Sequence, residues 1–558
     1  MRLLIIAAAI IAAGVVVLLP ARAQTARAAA DGERSIRGVM HVHTRRSDGT
    51  GTIEQVADAA ARAGLAFVVV TDHGDASRPP DAPAYHRGVL MIDAVEVSTA
   101  GGHVVALGLD GAPYPLGGAP ADVVEDIHRL GGIAIAAHPG SPRAELAWQD
   151  WVAPVDGLEW VNGDSEWRDE TPWSLLRGLL TYPFRGPEAL ASLLDRPEPV
   201  MRQWDALAQQ RPVVGLAASD AHARISLTSI GEPYDTHASL PFPSYSAVFG
   251  AMSISLDGAT LTGEPAMDAR AVLEAIRAGH VVSQVDGLAR GGRLQLTATS
   301  GGFRGVGGDR LDTAGDVTLA ASATTLPGSR LRLLKNGEVI AESPLSTLER
   351  VVGPEPAEYR AEVTLRDAPG VPPIPWLVGN PVYVNLPRQS AEVPQGLPTV
   401  RTAFTTEQLG RARIERSRES AGAISLTPGN YQREVLFRYA LGGASSDHPY
   451  AAAVFGMPQP LDGYAGVSFI ARTERPLRLS VQVRRPGPGG GVRWTRSVYL
   501  DATSRVVVLR FDQFSPVDRS SGPVPVGGLD SLLLVVDDVN TPLGNGGRVW
   551  IRDLDFFR

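Results

Sequence analysis

The sequence predicts an α/β domain followed by two all-β domains, and three observations lead to that prediction. The chain has 558 residues, whereas a single core rarely grows beyond roughly 250–300 residues. From residue 36 to about residue 285, short β-rich apolar runs alternate with helical runs. This pattern is typical of a largely parallel sheet covered by helices, either a barrel or a doubly wound layer. After that point apolar residues alternate at a period of two, as in antiparallel sheets.

The N-terminal segment has the composition of a secretory signal. One positive charge precedes the apolar run LLIIAAAIIAAGVVVLLP, and the small-residue sequence ARA follows it. These features predict a signal peptide over residues 1–23, cleaved after Ala23, and a periplasmic or secreted protein. The alternative is an uncleaved membrane anchor, because the apolar run is about long enough to span a bilayer.

The first predicted domain covers residues 36–290. Its first strand is IRGVMHVHT, and Thr52 with Gln55 forms a capping box for a helix that ends at Gly64. The further strands are FVVVTDHG, VLMIDAVEVS, HVVALGL, IAIAAHPG, GLEWVNG and VVGLAASDAH, with helices such as ADVVEDIHRLGG and PVMRQWDALAQQ between them.

Two β-rich regions follow this domain. Residues 291–387 are predicted to form a β-sandwich, with a tight hairpin at Asn336 and Gly337. The polar, proline-containing residues 388–402 are predicted to be a linker. Residues 403–558 are predicted to form a second sandwich of jelly-roll-like type.

Composition excludes several classes of function. The net charge is −8 and no long basic run is present, so the chain lacks the dense Lys/Arg footprint of a nucleic-acid-binding protein. Cysteine is absent, which excludes disulfides, thiolate zinc sites and a cysteine nucleophile.

Nine residues that can bind divalent metals stand at or near the ends of predicted strands: His41, His43, Asp48, His73, Glu96, His103, His138, Asp220 and His222. His41 and His43 are two apart, so both would point to the same face of a strand. Because strand ends converge in parallel α/β folds, we expect the nine side chains to meet. A lone histidine at a strand end is more often structural, but six of the 11 histidines follow this pattern. The pattern therefore favours a metal site.

The motifs HVHTRRSDG, VTDHG, VEVS with GHVVALG, GGIAIAAHPG and ASDAH occur in this order. They resemble the successive motifs of the PHP (polymerase and histidinol phosphatase) superfamily. The resemblance implies a distorted (β/α)7 barrel with two or three divalent ions, commonly zinc, manganese or iron. One ion would be held by His41, His43, Glu96 and Asp220. Glu96 would bridge to a second ion, held by His103 and His138, and a third would be held by Asp48, His73 and His222. The catalytic residues would be His41, His43, Glu96, His138 and Asp220.

Two further resemblances concern the surroundings of this domain. The N-terminal signal, DARAVLEAIRAGHVVSQ and PWLVGNPVYVN are similar to the exported branch of the superfamily that includes carbaryl-hydrolase-like metallohydrolases. The C-terminal region, which ends in RVWIRDLDFFR, is similar to jelly-roll modules found beside carbohydrate-acting enzymes. The second resemblance implies a glycan contact, with a plain structural sandwich as the alternative.

The predicted site favours hydrolysis of an anionic small molecule. Imidazole and carboxylate ligands suit zinc, manganese or iron, and a hydroxide bridging two such ions is a nucleophile. Three divalent ions, three carboxylates and a hydroxide leave a net charge of about +2, which favours phosphate. We therefore expect a phosphoesterase acting on small phosphate esters. Arg143 either adds a bidentate phosphate contact or is a surface arginine. The alternatives are a carboxylic ester, carbamate or amide hydrolase, and a non-catalytic protein that binds surface glycans.

Overall fold

The structure is a computed structural model of the chain. It describes residues 19–25, 36–226, 239–388, 396–428, 433–443, 448–457, 461, 463–517 and 522–558. Two compact units are present. The first comprises Met1–Asp110 with Ala119–Gln389, and the second comprises Gly111–Gly118 with Ser390–Arg558. The first unit contains all nine predicted metal ligands.

Up to residue 290 the first unit mixes strands and helices. The elements are β1 (Gln24–Thr25), β2 (Ile36–Val39), α1 (Ile53–Ala63), β3 (Phe67–Val70), β4 (Ala84–His86), β5 (Val89–Asp93), β6 (Val95–Thr99), β7 (Gly102–Leu107), α2 (Pro120–Arg129), β8 (Ile133–Ala136), β9 (Gly157–Asn162), α3 (Gly163–Glu166), α4 (Pro172–Thr181), α5 (Gly186–Ala191), α6 (Glu198–Ala208), β10 (Val214–Ala218), β11 (Ile225–Ser226), β12 (Ser239–Leu240), α7 (Tyr245–Ala251), β13 (Ser253–Leu256), α8 (Pro265–Ala278), β14 (Val281–Gln284) and β15 (Ala289–Arg290). The predicted α/β character of this region is therefore present.

Strand pairing in this region follows a closed path. β2 pairs with β3, and the bridge between His73 and Glu96 continues from the end of β3 to β6. β6, β7, β8, β9 and β10 are successive neighbours in one sheet. The bridge between Ala221 and Val42 then leads from the end of β10 back to the end of β2. The strand ends that carry the predicted ligands are thus neighbours in space.

The pairing is less parallel than the sequence indicates. β2 with β3, β8 with β9, and β9 with β10 are parallel, but β7 is antiparallel to both β6 and β8. The run VLMIDAVEVS also forms two strands, β5 and β6, rather than one. A buried apolar run has the same composition in either orientation, so the sequence pattern does not distinguish them.

Helix α1 forms as its sequence predicts. The Thr52 side chain accepts a hydrogen bond from Gln55 N, and the Gln55 side chain accepts one from Thr52 N. The helix ends at Gly64, whose φ of 72° is in the left-handed region that glycine adopts readily. Val56, among other residues of its apolar face, is buried. Local sequence alone is therefore sufficient to set both ends of this helix.

Residues 291–387 are β-rich, as predicted. The strands are β16 (Leu294–Ser300), β17 (Phe303–Val306), β18 (Arg310–Leu311), β19 (Val317–Ala323), β20 (Arg330–Lys335), β21 (Glu338–Ser343), β22 (Thr347–Val352), β23 (Ala357–Thr364), β24 (Leu377–Gly379) and β25 (Val382–Val384). Asn336 and Gly337 join β20 to β21 with φ values of 51° and 84°, as a tight hairpin requires. β24 pairs with β14, so one sheet continues from the α/β region into this one. The domain boundary at residue 290 stays a prediction.

The C-terminal part of the second unit is a two-sheet β-sandwich. Its elements are β26 (Arg401–Ala403), α9 (Thr406–Gly410), β27 (Arg413–Arg416), β28 (Ala421–Pro428), β29 (Arg433–Ala440), β30 (Tyr450–Gly456), β31 (Gly466–Thr473), β32 (Leu477–Arg485), β33 (Val492–Leu500), β34 (Arg505–Arg510), β35 (Ser515–Pro516), β36 (Ser531–Asp537) and β37 (Gly546–Phe557). The described residues of this part form two six-stranded sheets, and Phe437 and Ile551 of one share a buried core with Val481 and Leu532 of the other. Its jelly-roll classification stays a prediction.

Part of the predicted N-terminal signal lies outside the described residues. Residues 1–18 are not described, whereas residues 19–25, which include the predicted cleavage site after Ala23, are. Among the residues that are described, no helix combines the length and apolar character needed to cross a membrane. Export and localisation stay predictions.

Candidate metal centre

The predicted ligands follow strand ends at which the backbone turns sharply. His41, His138 and Asp220 have positive φ values of 61°, 31° and 45°. Such conformations cost about 1–3 kcal/mol for a residue other than glycine, and they cluster at functional sites. β2 ends at Val39, so His41 and His43 are not successive outward positions of a strand as the sequence indicates. Both face the site because the chain turns at His41.

The Glu96 carboxylate lies at the centre of the cluster. Glu96 is on β6 and is 1% exposed. Five imidazole nitrogens face its two oxygens: His103 Nδ1 and His138 Nε2 lie 2.8 Å from Oε1, while His41 Nε2, His43 Nε2 and His73 Nδ1 lie 3.2, 3.3 and 3.3 Å from Oε2. A carboxylate with imidazoles around both oxygens is suited to bridge two metal ions.

A second carboxylate, Asp220, faces the same imidazoles from the end of β10. Its Oδ1 lies 3.3 Å from His41 Nε2 and 3.4 Å from His43 Nε2. His222 Nδ1 is 3.5 Å from the same oxygen. Since His41 Nε2 and His43 Nε2 each face both Glu96 and Asp220, the two carboxylates and the two imidazoles surround one small volume.

The third carboxylate, Asp48, lies at the more exposed side of the cluster. Its Oδ2 is 3.2 Å from His222 Nε2 and 3.8 Å from His73 Nε2, and its Oδ1 is 3.4 Å from His43 Nδ1. The rings of His43 and His222 stack, with centroids 4.1 Å apart and planes 10° from parallel. Asp48 therefore belongs to the same cluster, although it follows β2 in a loop.

The donor set fits divalent metal ions. Within each of four groups of residues, one potential ligand atom per residue lies within 4.8 Å of the others. All nine predicted residues occur in these groups, which are His43, Asp48, His73 and His222; His41, His43 and Glu96; His41, His138 and Asp220; and His73, Glu96 and His103. Among the described residues His43 Nε2 makes no hydrogen bond, although it is buried. A buried nitrogen with carboxylate oxygens nearby but no hydrogen bond suits a metal ligand. Imidazole and carboxylate without thiolate favour zinc, manganese or iron.

These groups differ from the three ligand sets that the PHP resemblance implies. His138 is grouped with His41 and Asp220 rather than with Glu96 and His103, although its Nε2 also lies 2.8 Å from Glu96 Oε1. His73 belongs to two groups, one with Glu96 and His103 and the other with Asp48, His43 and His222. Which residues share an ion, and how many ions bind, stays a prediction.

Glu159 is a buried member of the site that lies outside the nine ligands predicted from sequence. Its Oε1 lies 2.5 Å from His41 Nδ1. Its Oε2 accepts hydrogen bonds from His138 N at 2.7 Å and from Asn162 Nδ2 at 2.8 Å. Glu159 thus orients two of the predicted ligands. The available signal was a charged residue inside the apolar strand GLEWVN, where every residue is buried.

Asp72 is a second buried carboxylate of the site that lies outside the nine predicted ligands. Its Oδ1 accepts from Thr44 N at 2.7 Å and from Ser47 Oγ at 2.6 Å, and its Oδ2 accepts from Thr44 Oγ1 at 2.6 Å. These bonds hold the loop between His43 and Asp48. The signal was present in VTDHG, in which the aspartate directly precedes His73.

The carboxylates of the cluster remain ionised. Burial alone would raise the pKa of Glu96, but the attraction of His73, His41 and His103 outweighs it and lowers that pKa well below its ordinary value. Burial acts in the same way on Asp220, and His41 is the main opposing group that lowers the pKa of Asp220. Negative charge on these oxygens is what a metal ligand requires.

The neighbouring imidazoles respond to the same charges. Burial would lower the pKa of His43, but Asp220, Glu96 and Asp48 together raise that pKa to about 10. The pKa of His73 is instead lowered to about 4, mainly by burial. Protons and metal ions therefore compete for His43, because a histidine must be deprotonated to bind a metal.

Arg143 lies in the turn that follows His138. Its Nε donates a hydrogen bond to Glu145 Oε1 at 3.1 Å, and its side chain is 24% exposed. The phosphate contact considered for this arginine stays a prediction.

An apolar cavity lies beside the cluster. Asp220 and His222 form part of its wall. Its apolar lining includes Trp167, Leu190, Leu193, Leu194, Val248 and Met252. Glu166 also lines it, and burial raises the pKa of Glu166 to about 8. The cavity thus offers an apolar surface and a carboxyl group that is mostly protonated at neutral pH.

Two curated proteins are similar to parts of the chain, whereas no family model matches it. An uncharacterized protein of Methanocaldococcus jannaschii is 27% identical over 137 residues, which are 22% of this chain and 80% of that protein. The 3′,5′-nucleoside bisphosphate phosphatase of Chromobacterium violaceum is 38% identical over 79 residues. That match covers 13% of this chain and 28% of the phosphatase, so the chain spans under a third of that enzyme's length.

Solved structures similar to part of the chain include carbohydrate-binding modules. The family 11 module of the Clostridium thermocellum cellulase Lic26A-Cel5E has 13% identity and a TM-score of 0.24, and covers 28% of this chain and 94% of the module. An exo-β-agarase has 14% identity and a TM-score of 0.20, and covers 28% of this chain and 25% of the agarase.

Proposed function

We propose that the protein is a metal-dependent phosphoesterase of the PHP type that acts on small phosphate esters after export. The central support is the position of Glu96, whose two carboxylate oxygens face five imidazole nitrogens at 2.8–3.3 Å. The partial similarity to a nucleoside bisphosphate phosphatase supports the same reaction class. The ring of strand pairings is compatible with a distorted PHP barrel.

The proposed ligands are the nine residues His41, His43, Asp48, His73, Glu96, His103, His138, Asp220 and His222. When bound in such a site, divalent ions lower the pKa of water and neutralise the charge that develops on the attacked phosphoryl group.

Glu159 and Asn162 would keep the ligands in position. Glu159 Oε1 faces His41 Nδ1, so this nitrogen carries the proton and Nε2 is left as the ligand atom towards Glu96 and Asp220. Asn162 donates to the other oxygen of Glu159 and fixes the plane of that carboxylate. Together they hold the His41 imidazole in one tautomer and one orientation.

The charge of the loaded site supports an anionic substrate. Three divalent ions would bring six positive charges, and Glu159 raises the number of carboxylates from the three predicted ones to four. The balance over the ion ligands and Glu159 is about +2 before any hydroxide binds, and about +1 when the buried Asp72 is also counted. A phosphate ester suits this balance better than a neutral carbon ester does.

The apolar cavity suggests which phosphate esters are preferred. It adjoins Asp220 and His222, so the alcohol part of an ester held at the cluster can extend along Trp167 and Leu193. Esters whose alcohol part is aromatic or aliphatic gain binding free energy when that apolar area is buried against this wall. Aryl phosphates should therefore be better substrates than glycerol phosphate.

The experiment measures hydrolysis by the purified chain loaded in turn with zinc, manganese and iron. The substrates are p-nitrophenyl phosphate, bis-p-nitrophenyl phosphate, glycerol phosphate, naphthyl acetate and a naphthyl carbamate. Turnover of the phosphate esters is expected, and it should be lost in His138→Ala but kept in His128→Ala.

Two results would contradict the proposal. Turnover of the carbon esters alone would instead establish the carboxylic ester and carbamate hydrolase alternative. No turnover, combined with absence of bound metal by elemental analysis, would favour a non-catalytic protein that binds glycans.

A further inference from the structure

An apolar surface lies exposed on α4 and the turn that follows it. Its five side chains are Trp173 at 62%, Leu176 at 46%, Leu179 at 59%, Leu180 at 42% and Phe184 at 67% exposure. We call these five residues the α4 face. Residues 173, 176 and 180 are three and four positions apart, so they lie along one side of the helix.

The opposite side of α4 is already packed. Gly178 and Thr181 are buried, and an added Cβ at Gly178 would lie 3.4 Å from Leu193 Cδ2. The Thr181 hydroxyl donates to Arg177 O at 2.8 Å, within the helix. Because α4 packs on the core through Gly178 and Thr181, the α4 face is a second apolar side of the helix that the core does not cover.

The N-terminal part of the chain enters the described structure beside the α4 face. The Arg185 side chain donates a hydrogen bond to Pro20 O, and Arg185 directly follows Phe184. Ala23 N donates to Glu188 Oε1 at 3.4 Å. Gln24 then pairs with Ala289, in the parallel pairing of β1 with β15.

The sequence that precedes this contact is strongly apolar. Residues 3–20 read LLIIAAAIIAAGVVVLLP, a run about long enough to span a bilayer. Pro20, the last residue of this run, is buried, and its carbonyl oxygen accepts from Arg185, the chain neighbour of Phe184. Cleavage after Ala23 would remove the contact between Pro20 and Arg185.

We propose that the α4 face docks on the surface of a lipid bilayer, beside an N-terminal apolar segment that is retained as an anchor. A short amphipathic helix with tryptophan, phenylalanine and leucine on one side is suited to the boundary between headgroups and acyl chains. A single weak surface contact binds a membrane marginally, and a second signal makes the attachment stable. The apolar segment would supply that second signal, because its last residue, Pro20, is hydrogen-bonded to Arg185 beside the α4 face.

A lipid surface explains the α4 face better than a second copy of the chain does. The run of residues 3–20 ends at Pro20, whose carbonyl oxygen accepts from Arg185 beside the α4 face, so a membrane that holds the run would lie close to that face. A second copy would cover the face but would give no reason for a bilayer-length run at its edge. The α4 face would therefore lie flat on the headgroup region, with Trp173 and Phe184 at the boundary.

The absence of cysteine allows a direct test with single labels. Leu179→Cys and Phe184→Cys would each carry an environment-sensitive NBD fluorophore in the full chain. Leu345→Cys is the matched control, because Leu345 is an equally exposed leucine, at 66%, in residues 291–387. The variants are mixed with phosphatidylcholine–phosphatidylglycerol vesicles, and circular dichroism melting checks that they are folded.

The proposal predicts a several-fold rise and a blue shift of NBD emission at positions 179 and 184 when vesicles are added. Nitroxide-labelled lipids should quench this emission, and the label at position 345 should not respond. Flotation of the chain with vesicles but no response at 179 and 184 would overturn the proposal, since the apolar segment alone would then account for binding.

Three other outcomes would also overturn it. A blue-shifted emission without vesicles that depends on protein concentration would identify a second copy as the occupant. The same emission without concentration dependence would identify the chain's own N-terminal segment. Failure of the full chain to float with vesicles would exclude the membrane altogether.

Discussion

His41 Nδ1 lies 2.5 Å from Glu159 Oε1, and both side chains are fully buried. The opposite nitrogen of the same ring faces Glu96 Oε2 and Asp220 Oδ1 at 3.2 and 3.3 Å. One imidazole thus connects an orienting carboxylate to the two carboxylates of the proposed metal centre. In such an arrangement the carboxylate that orients a ligand histidine, here Glu159 at His41, influences the metal affinity of the site.

Replacement of Glu159 by glutamine should weaken metal binding by about 10–100-fold. The amide can accept from His41 with its oxygen, but its NH2 group would then face the N–H groups of His138 and Asn162, which now donate to Glu159 Oε2. Metal affinity is measured by competition with a chelator of known affinity. Glu145→Gln, which changes an exposed carboxylate, is the control, and equal affinities in the two variants would contradict the orienting role.

Removal of His138 or Asp220 should abolish hydrolysis while the protein remains folded. His138→Ala and Asp220→Ala each remove a proposed ligand without changing the apolar core, so we expect activity to fall by at least about 100-fold. His128→Ala is the matched control, because His128 pairs with Asp156 on the surface of the first unit. Initial rates and melting temperatures are compared. Retained activity in both ligand variants would refute the metal-site assignment.

Removal of metal should destabilise the first unit. A ligand that binds only the folded state stabilises it by about 2.7 kcal/mol at a concentration of 100 Kd. Treatment with a chelator should therefore lower the melting temperature, and zinc, manganese or iron should restore it. Calcium and magnesium should not, because the site is rich in imidazole. Calorimetry with and without chelator tests this expectation, which fails if the two traces coincide.

Glu358→Gln should flatten the dependence of stability on pH. Burial raises the pKa of Glu358 to about 7, although the attraction of Arg360 opposes this. The unfolded value is about 4.3, so between these values the folded state binds more protons and stability falls as pH rises through the folded pKa. Glutamine remains neutral at every pH, so the variant does not lose this stability as pH rises.

The measurement for Glu358→Gln is the melting temperature at a pH near the unfolded value of about 4.3 and at a pH above the folded pKa of about 7. The wild-type chain should lose more stability than the variant as pH rises. The exposed Glu338 on β21 provides the control variant Glu338→Gln. A parallel pH dependence in wild type and Glu358→Gln would show that Glu358 is not the titrating group.

Much of the local structure was predictable from short stretches of sequence. Thr52, Gln55 and Gly64 specify the ends of α1, and Asn336 with Gly337 specifies the β20–β21 hairpin. These features depend on side chains and φ angles within a few residues, so no distant contact is needed. Strand direction was not predictable in the same way, since β7 is antiparallel to its neighbours while its apolar run reads like those of the parallel strands.

Some features of the candidate site could likewise be predicted from the sequence, whereas others depend on the folded chain. By itself, the sequence determined which residue types stand at strand ends, because histidine and aspartate in an apolar context are visible without a fold. The tertiary structure alone decided that Glu159 meets His41, 118 positions away, and that the chain turns at His41 with a positive φ. It also decided that α4 leaves Trp173 and Phe184 exposed. These features depend on which distant segments pack together, and burial and hydrogen bonding over such separations are properties of the folded chain only.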